Sequence, residues 1–318
     1  MVYAEIAARR EGAALSDFYI YLPTGSGRHV QYRFVYVECP PDPALPFAGG
    51  ANNPANSRLY RIREAYIGTL TGRVFTPEYR ALQGGEVSFA MQEQGAGDFI
   101  GGYHGDEVAS EMTLLGDGTP IALDAPSFGA YKSLTYTQTS TLARCNTPGE
   151  SLCLHHQVYK AEGKELTIAR RVEFLRDAHT LVAAFMPMLT VERMDPADTA
   201  LRVTDLLTFY DREDGTEVAA LDTSPYGTTP SENLPHSRLR GTAAAAVVAT
   251  GKESGLTVRA GLRLPEGSPL AGRVRASVWL RYGDALDSKV YFDVAGGTAP
   301  KKGTIWEGES YYTVELNK

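Results

Sequence analysis

The chain has 318 residues, 43% hydrophobic, 10% aromatic and 22% charged, with 31 Lys+Arg against 38 Asp+Glu for a net charge of −7. Such a composition excludes a disordered chain and supplies enough apolar mass for a packed core. The acidic balance without a basic stripe excludes a nucleic-acid binder, and no run approaches the roughly 20 apolar residues that a membrane-spanning helix requires.

In chain order, helical periodicity is predicted only over 4–15, where alanines are dense. Arg9, Arg10 and Glu11 interrupt any basic-then-apolar leader there. The expectation is an extracellular or secreted protein whose leader precedes this numbering, or otherwise a cytoplasmic one. Val30, Tyr32, Phe34 and Tyr36 then alternate with Gln31, Arg33 and Val35, a strand pattern. Residues 40–57, rich in Pro, Gly, Ala and Asn, read as a long loop, and 223–237 as another; one or the other is expected to rim a site. Further strands are predicted over 134–142, 152–160, 166–175, 181–191, 201–210, 217–221, 243–250, 256–264, 274–282, 289–294 and 311–316, separated by glycine-containing turns. No internal repeat, linker or charged tether divides the chain. The fold class expected is all-β, a large antiparallel β-sandwich with few short helices, a supersandwich or jelly roll. Residues 1–318 are expected to form one domain, with 223–237 as the place for a minor subdivision.

The hairpin after residue 152 can be read closely. A three-residue connection at Glu162-Gly163-Lys164 pairs Val158 with Ile168, Leu154 with Val172 and Leu152 with Phe174, apolar against apolar. The opposite face then carries His155 across from Arg171, with Gln157, Tyr159 and Glu173 nearby. That face reads either as a solvated sheet surface or as a concave sugar-binding one. Cys145 and Cys153 flank a turn-rich loop and read as two thiols or a short disulfide; Cys39 has no partner in view.

The densest cluster of unusual residues is Asp98-Phe99-Ile100-Gly101-Gly102-Tyr103-His104-Gly105-Asp106-Glu107. Glycines on both sides of Tyr103-His104 allow a bulge and close approach of a ligand. Asp106 and Glu107 stand near enough in sequence to orient the imidazole. His104 with Asp106 or Glu107 could supply two metal ligands and His155 a third, but adjacent His155 and His156 face opposite sides of a strand and there is no His-x-His pair, so metal catalysis is not favoured. No metal and no cofactor are expected. The absence of a phosphate-binding glycine loop and of a Gly-x-Ser-x-Gly elbow argues against nucleotide chemistry and serine hydrolysis.

The 98–107 stretch resembles segments of carbohydrate-processing and phage-tail-associated β proteins. Its glycine-rich approach to His104-Gly105, a third of the way along the chain, resembles the aldose-epimerase-like supersandwich group. That resemblance implies a second histidine near mid-chain, His155 or His179, and a carboxylate near the end, Glu307, Glu309 or Glu315. The group's asparagine-containing signature is absent before His104 and near both later histidines, so one motif and the general architecture are what carry over. They imply a polysaccharide or oligosaccharide partner.

The leading expectation is a polysaccharide lyase that cleaves a uronate-containing glycan by β-elimination. His104 is its base, with His155 as substitute, Arg171 neutralises the uronate carboxylate and Tyr159 is the acid. Gln157, Tyr103, Asp106 and Glu107 are the substrate contacts. A locally basic groove is required, for which Arg33, Arg61, Arg63, Arg170 and Arg171 are the candidates; arginines scattered over the surface would favour a neutral sugar. The alternatives are an aldose epimerase or mutarotase with two histidines and a terminal carboxylate, and a non-catalytic carbohydrate-binding or tail-like adhesion module whose 18 tyrosines stack on sugars.

Overall fold

A computed structural model describes residues 1–40, 56–83, 87–195, 197–228, 241–282 and 286–317. The predicted loops at 40–57 and 223–237 lie largely outside these residues. Among the described residues there is no helix. The strands are β1 (Val2–Ile6), β2 (Phe18–Pro23), β3 (His29–Cys39), β4 (Ser57–Thr71), β5 (Val74–Leu82), β6 (Ala90–Glu93) and β7 (Glu107–Gly116). There follow β8 (Thr119–Ile121), β9 (Ser127–Tyr131), β10 (Ser133–Arg144), β11 (Thr147–Glu162), β12 (Glu165–Phe174), β13 (Leu181–Glu192) and β14 (Leu206–Tyr210). The last are β15 (Glu217–Asp222), β16 (Ala246–Thr250), β17 (Leu256–Arg263), β18 (Arg275–Leu280), β19 (Asp287–Asp293) and β20 (Ile305–Leu316).

Sixteen of these strands form one sheet, ordered β15-β14-β16-β17-β20-β12-β11-β10-β7-β4-β3-β2-β1-β9, with β5 added beside β4 and β8 beside β7. Its pairs are antiparallel apart from β4 and β7, which meet in parallel at Ser57 and Glu107. Twist accumulates over so many strands until the sheet faces itself. Phe34 of β3 meets Tyr159 of β11 at 5.5 Å between ring centroids, and Phe18 of β2 meets Tyr136 of β10 at 5.3 Å. The second layer is a four-stranded sheet, β18-β19-β13-β6. It lies on the inner face of β20, where the Tyr312 hydroxyl donates to the Met188 carbonyl. The expected all-β sandwich is thus present, and one contiguous apolar cluster runs from Val2 to Leu316.

Two local expectations are corrected. The N-terminal helix is the strand β1, whose Val2, Ala4 and Ile6 alternate inward, and β2 and β9 satisfy its backbone on both edges. In the β11–β12 hairpin only Gly163 and Lys164 connect the strands, with Glu162 opposite Glu165. Gly163, at φ +58°, supplies the left-handed first position that a tight two-residue hairpin needs. The register is therefore one residue off the apolar-on-apolar one: His155 faces Val172, Gln157 faces Arg170 and Tyr159 faces Ile168. The three cysteines are free thiols, Cys153 buried and Cys39 and Cys145 half-buried.

The ring cluster that joins the curled halves of the sheet makes a direct test. Phe34 is fully buried and stacks on Phe18 at 4.4 Å. Phe34→Ala is expected to cost about 3–5 kcal/mol of unfolding free energy in urea denaturation. Val74→Ala, at a position 67% exposed, is expected to stay within about 0.5 kcal/mol.

Candidate functional site

Strand parity divides β10, β11, β12 and β20 into an inner and an outer set of side chains. The inner set is a polar network inside the sandwich, centred on Glu107, the first residue of β7. Its carboxylate accepts hydrogen bonds from the Gly102 N–H at 2.6 Å, the Ser140 hydroxyl, His155 Nδ1 at 2.9 Å and Gln157 Nε2 at 3.3 Å. The Tyr159 hydroxyl donates to Gln157 Oε1 at 2.9 Å. Arg170 reaches Ser310 and the Val87 carbonyl from the same side. Burial alone would raise the Glu107 pKa, but His155 and the hydrogen bonds outweigh it and hold the carboxyl below its ordinary value. Burial pushes the Tyr159 phenol up to about 12.

The outer set forms a cleft. Register places Thr139, His156, Arg171 and Glu307 in one row across β10, β11, β12 and β20, with Val158, Ala169, Glu309 and Arg263 in the next. The small side chains of Val158 and Ala169 leave a floor between polar ends, and Leu264 and Pro265 complete a cavity of about 530 Å³, the size of a small-ligand site. His156 Nδ1 is held by the Thr139 hydroxyl at 3.0 Å, which leaves Nε2 for a ligand. Arg171 pairs with Glu173 at 2.7 Å and with Glu307 at 3.4 Å. Arg263 binds Glu165, Glu213 and Glu309. Five carboxylates thus surround two arginines.

The glycine-rich segment forms a turn. Gly102 has φ +51°, and a Cβ on it would come within 2.2 Å of the Ser88 side chain, so no other residue fits. Asp106 also takes a left-handed conformation, φ +53°; Asn56 Nδ2 and the Asn146 N–H hold its carboxylate. The acid beside His104 is Asp98, 3.3 Å from Nδ1, not Asp106 or Glu107. His104 stacks on Phe99 at 5.1 Å, and rings continue through Phe185, Tyr291 and the half-exposed Trp279 at 5.4, 4.8 and 6.5 Å. Tyr103 is buried instead, with the Arg61 guanidinium 4.0 Å from its ring centre.

The residues expected to act together are therefore divided among three places. His155, Gln157, Tyr159 and Glu107 come together, but inside the sandwich. Arg171 lies on the opposite face of the same strands, because the hairpin register is shifted. His104 sits with Asp98 and Phe99, while Tyr103 and Asp106 are buried parts of the turn. His179 is exposed, with its N–H on Glu93, and Glu315 is 3.6 Å from Lys164; neither lines the cleft. The residue missed is His156, whose neighbours Leu154 and Val158 gave its face the look of a core. The two-residue turn at Gly163-Lys164 was the signal that could have placed it outward. Among the described residues no group of three His, Cys, Asp or Glu stands together as a metal site.

No protein-family model and no curated protein matches the chain. Among solved structures it is similar to the GH36 α-galactosidase AgaB from Geobacillus stearothermophilus, with 12% identity over 93% of this chain and 40% of that one, at a TM-score of 0.46. It is also similar to a GalM/aldose epimerase homologue from C. elegans, with 10% identity over 94% and 99% of the two chains and a TM-score of 0.39. A heparan sulfate lyase, HepC from Pedobacter heparinus, matches with 11% identity over 93% and 36%, at 0.36. The chain spans about 40% of the length of the α-galactosidase.

The Glu107 network predicts a defined response. Glu107→Ala leaves His155, Ser140, Gln157 and the Gly102 N–H without their acceptor and is expected to cost about 3–5 kcal/mol. Because the folded carboxyl has the lower pKa, its stabilisation is complete above its ordinary value of 4.5 and declines as pH falls through the folded value. The gap in Tm between wild type and Glu107→Gln should accordingly narrow below pH 4.5; a gap that stays constant down to pH 3 would contradict the ionised network.

Proposed function

We propose that the protein acts on a neutral sugar in the outer cleft, as an enzyme of the aldose-epimerase kind. The observation that carries this reading is one cavity in which His156, Glu307 and Glu309 face an apolar floor. An acid and a base on the two sides of a sugar ring are what anomeric interconversion requires. Glu307 takes the proton of the anomeric hydroxyl while His156 Nε2 delivers one to the ring oxygen, and the bond between that oxygen and the anomeric carbon breaks. Rotation and reclosure of the open-chain aldehyde, with the proton transfers reversed, give the other anomer. Val158 and Ala169 suit the apolar face of a pyranose, and Arg171 and Arg263 supply donors for its hydroxyls.

The charge of the rim supports a neutral substrate over the uronate of a lyase. Arg171 and Arg263 are already paired, and the remaining carboxylates repel a polyanion. Tyr159, the acid of the lyase scheme, is buried on the other side of the sheet. A second reading is favoured by the row from Trp279 to His104: a run of partly exposed rings that ends at the half-exposed Trp279 offers apolar contact to a glycan chain, as in a carbohydrate-binding or adhesion module.

Polarimetry of freshly dissolved α-D-glucose and α-D-galactose tests the first reading. Acceleration over the spontaneous rate is expected, with a loss of about 100-fold or more in His156→Ala and in Glu307→Gln. Absence of acceleration by the wild type would overturn it. Retention on immobilised neutral glycans that is lost in Trp279→Ala, without turnover, would leave the binding module.

A further inference from the structure

Arg61 of β4 is in a condition that the sandwich alone does not explain. It is 7% exposed, and its Nε and NH1 are buried without a hydrogen-bond partner. Among the described residues no carboxylate pairs with it. The other arginines buried this deeply use their guanidinium nitrogens in hydrogen bonds: Arg170 donates to Ser310 and the Val87 carbonyl, with Nε left unpartnered, and Arg193 donates to the carbonyls of Tyr226 and Arg281. Arg61 has the face of the Tyr103 ring at 4.0 Å. Such a contact offsets only part of the cost of removing an ion from water. The imbalance is visible in the guanidinium, whose pKa falls to about 10, chiefly through burial.

A second cation converges on the same ring. The β3–β4 register shifts between Arg33 and Phe34, opposite Glu64 and Ile62, so Arg63 is the extra residue of a bulge. A bulge re-aims the side chain it carries. Arg63 is exposed, stands 5.7 Å from the centre of the Tyr103 ring and donates to the Tyr103 hydroxyl. Arg63 also lacks a carboxylate partner among the described residues. In a chain of net charge −7, this is a local excess of positive charge with planar donor forks, which suit oxyanions better than an ammonium does. The turn that brings Tyr103 here is built on Gly102, which admits no side chain, and on Asp106, locked by Asn56 and Asn146. Tyr103 is thereby held against both arginines.

We propose that Arg61 and Arg63, both in contact with Tyr103, form a binding site for an oxyanion: the sulfate, phosphate or carboxylate group of a ligand. None of these residues lines the outer cleft, so the proposal stands independently of the sugar chemistry there. The anion supplies the countercharge that Arg61 lacks, and the exposed Arg63 is its entry side.

The test is thermal unfolding and calorimetric titration of the full chain with sodium sulfate, at ionic strength matched by sodium chloride. Sulfate is expected to raise the wild-type Tm by about 2 °C or more. Arg61→Met is expected to keep or raise the anion-free Tm, because an unpaired buried cation is removed, and to lose the response to sulfate. Arg63→Gln, at an exposed position, should fold normally and bind sulfate at least 5-fold more weakly. Parallel titrations with glucuronate and glucosamine 6-sulfate identify the source of the anion. Tighter binding of either sugar than of free sulfate assigns the site to an acidic saccharide, and equal binding assigns it to the free ion; both support the proposal. An equal wild-type Tm in sulfate and chloride would overturn it. So would an Arg61→Met variant of lower anion-free Tm combined with an unchanged sulfate response in Arg63→Gln, since Arg61 would then be a structural cation.

Discussion

One buried carboxylate sets the arrangement of the centre of this molecule. Glu107 cannot stay ionised inside the sandwich without several donors around it. Those donors come from three separate stretches of chain: the Gly102 turn, Ser140 of β10, and His155 and Gln157 of β11. Once His155 and Gln157 must face Glu107, the two-residue period of a strand sends His156 and Val158 to the other side. Cross-strand register then carries Ala169 and Arg171 outward on β12, and Glu307 and Glu309 outward on β20. The cleft is the reverse side of the network, and the need to satisfy one acid in the core determines which residues line it.

This coupling explains what was legible in the sequence and what was not. Strands and their order of polarity read well wherever a single face is apolar, as in β3, where Val30, Tyr32, Phe34 and Tyr36 are all buried. In β11 the rule fails because both rows are mixed: the inner row is Cys153, His155, Gln157, Tyr159 and Ala161, and the outer row sets Leu154 and Val158 among His156, Lys160 and Glu162. An apolar-on-apolar register was therefore the wrong criterion for that hairpin, and turn chemistry at Gly163 was the better one. The alanine-rich N-terminus failed for a related reason. Helix propensity favours such a segment locally, but pairing with both β2 and β9 decides its conformation.

The glycine-rich segment was legible as a special place and misread in its chemistry. In a regular strand, side-chain alternation would put His104 with Asp106 and separate both from Tyr103 and Glu107. As a turn with several left-handed residues, it gives each side chain its own direction. Glu107 anchors the core, Asp106 fixes the turn through Asn56 and Asn146, Tyr103 packs on Arg61, and His104 joins Asp98 and the ring row. Four neighbours in sequence therefore serve four different environments.

The arginines distinguish these environments by how their charge is met. On the outer face of the sheet Arg171 and Arg263 are each surrounded by carboxylates, so the local field is close to neutral or acidic and discrimination there has to come from hydrogen bonding and shape. In the core Arg170 spends its donors on a hydroxyl and a carbonyl, which fixes it in place. At Arg61 and Arg63 no described acid answers the charge, so attraction for an anion is built in by the protein's own geometry. A polyol and an oxyanion are selected by opposite electrostatics, and this fold separates the two: acid-rich on the reverse of β11, β12 and β20, and cationic beneath the Tyr103 turn. A single basic groove, the condition for a uronate lyase, would have required those arginines to be gathered and unpaired on one face, whereas strand parity distributes them over several.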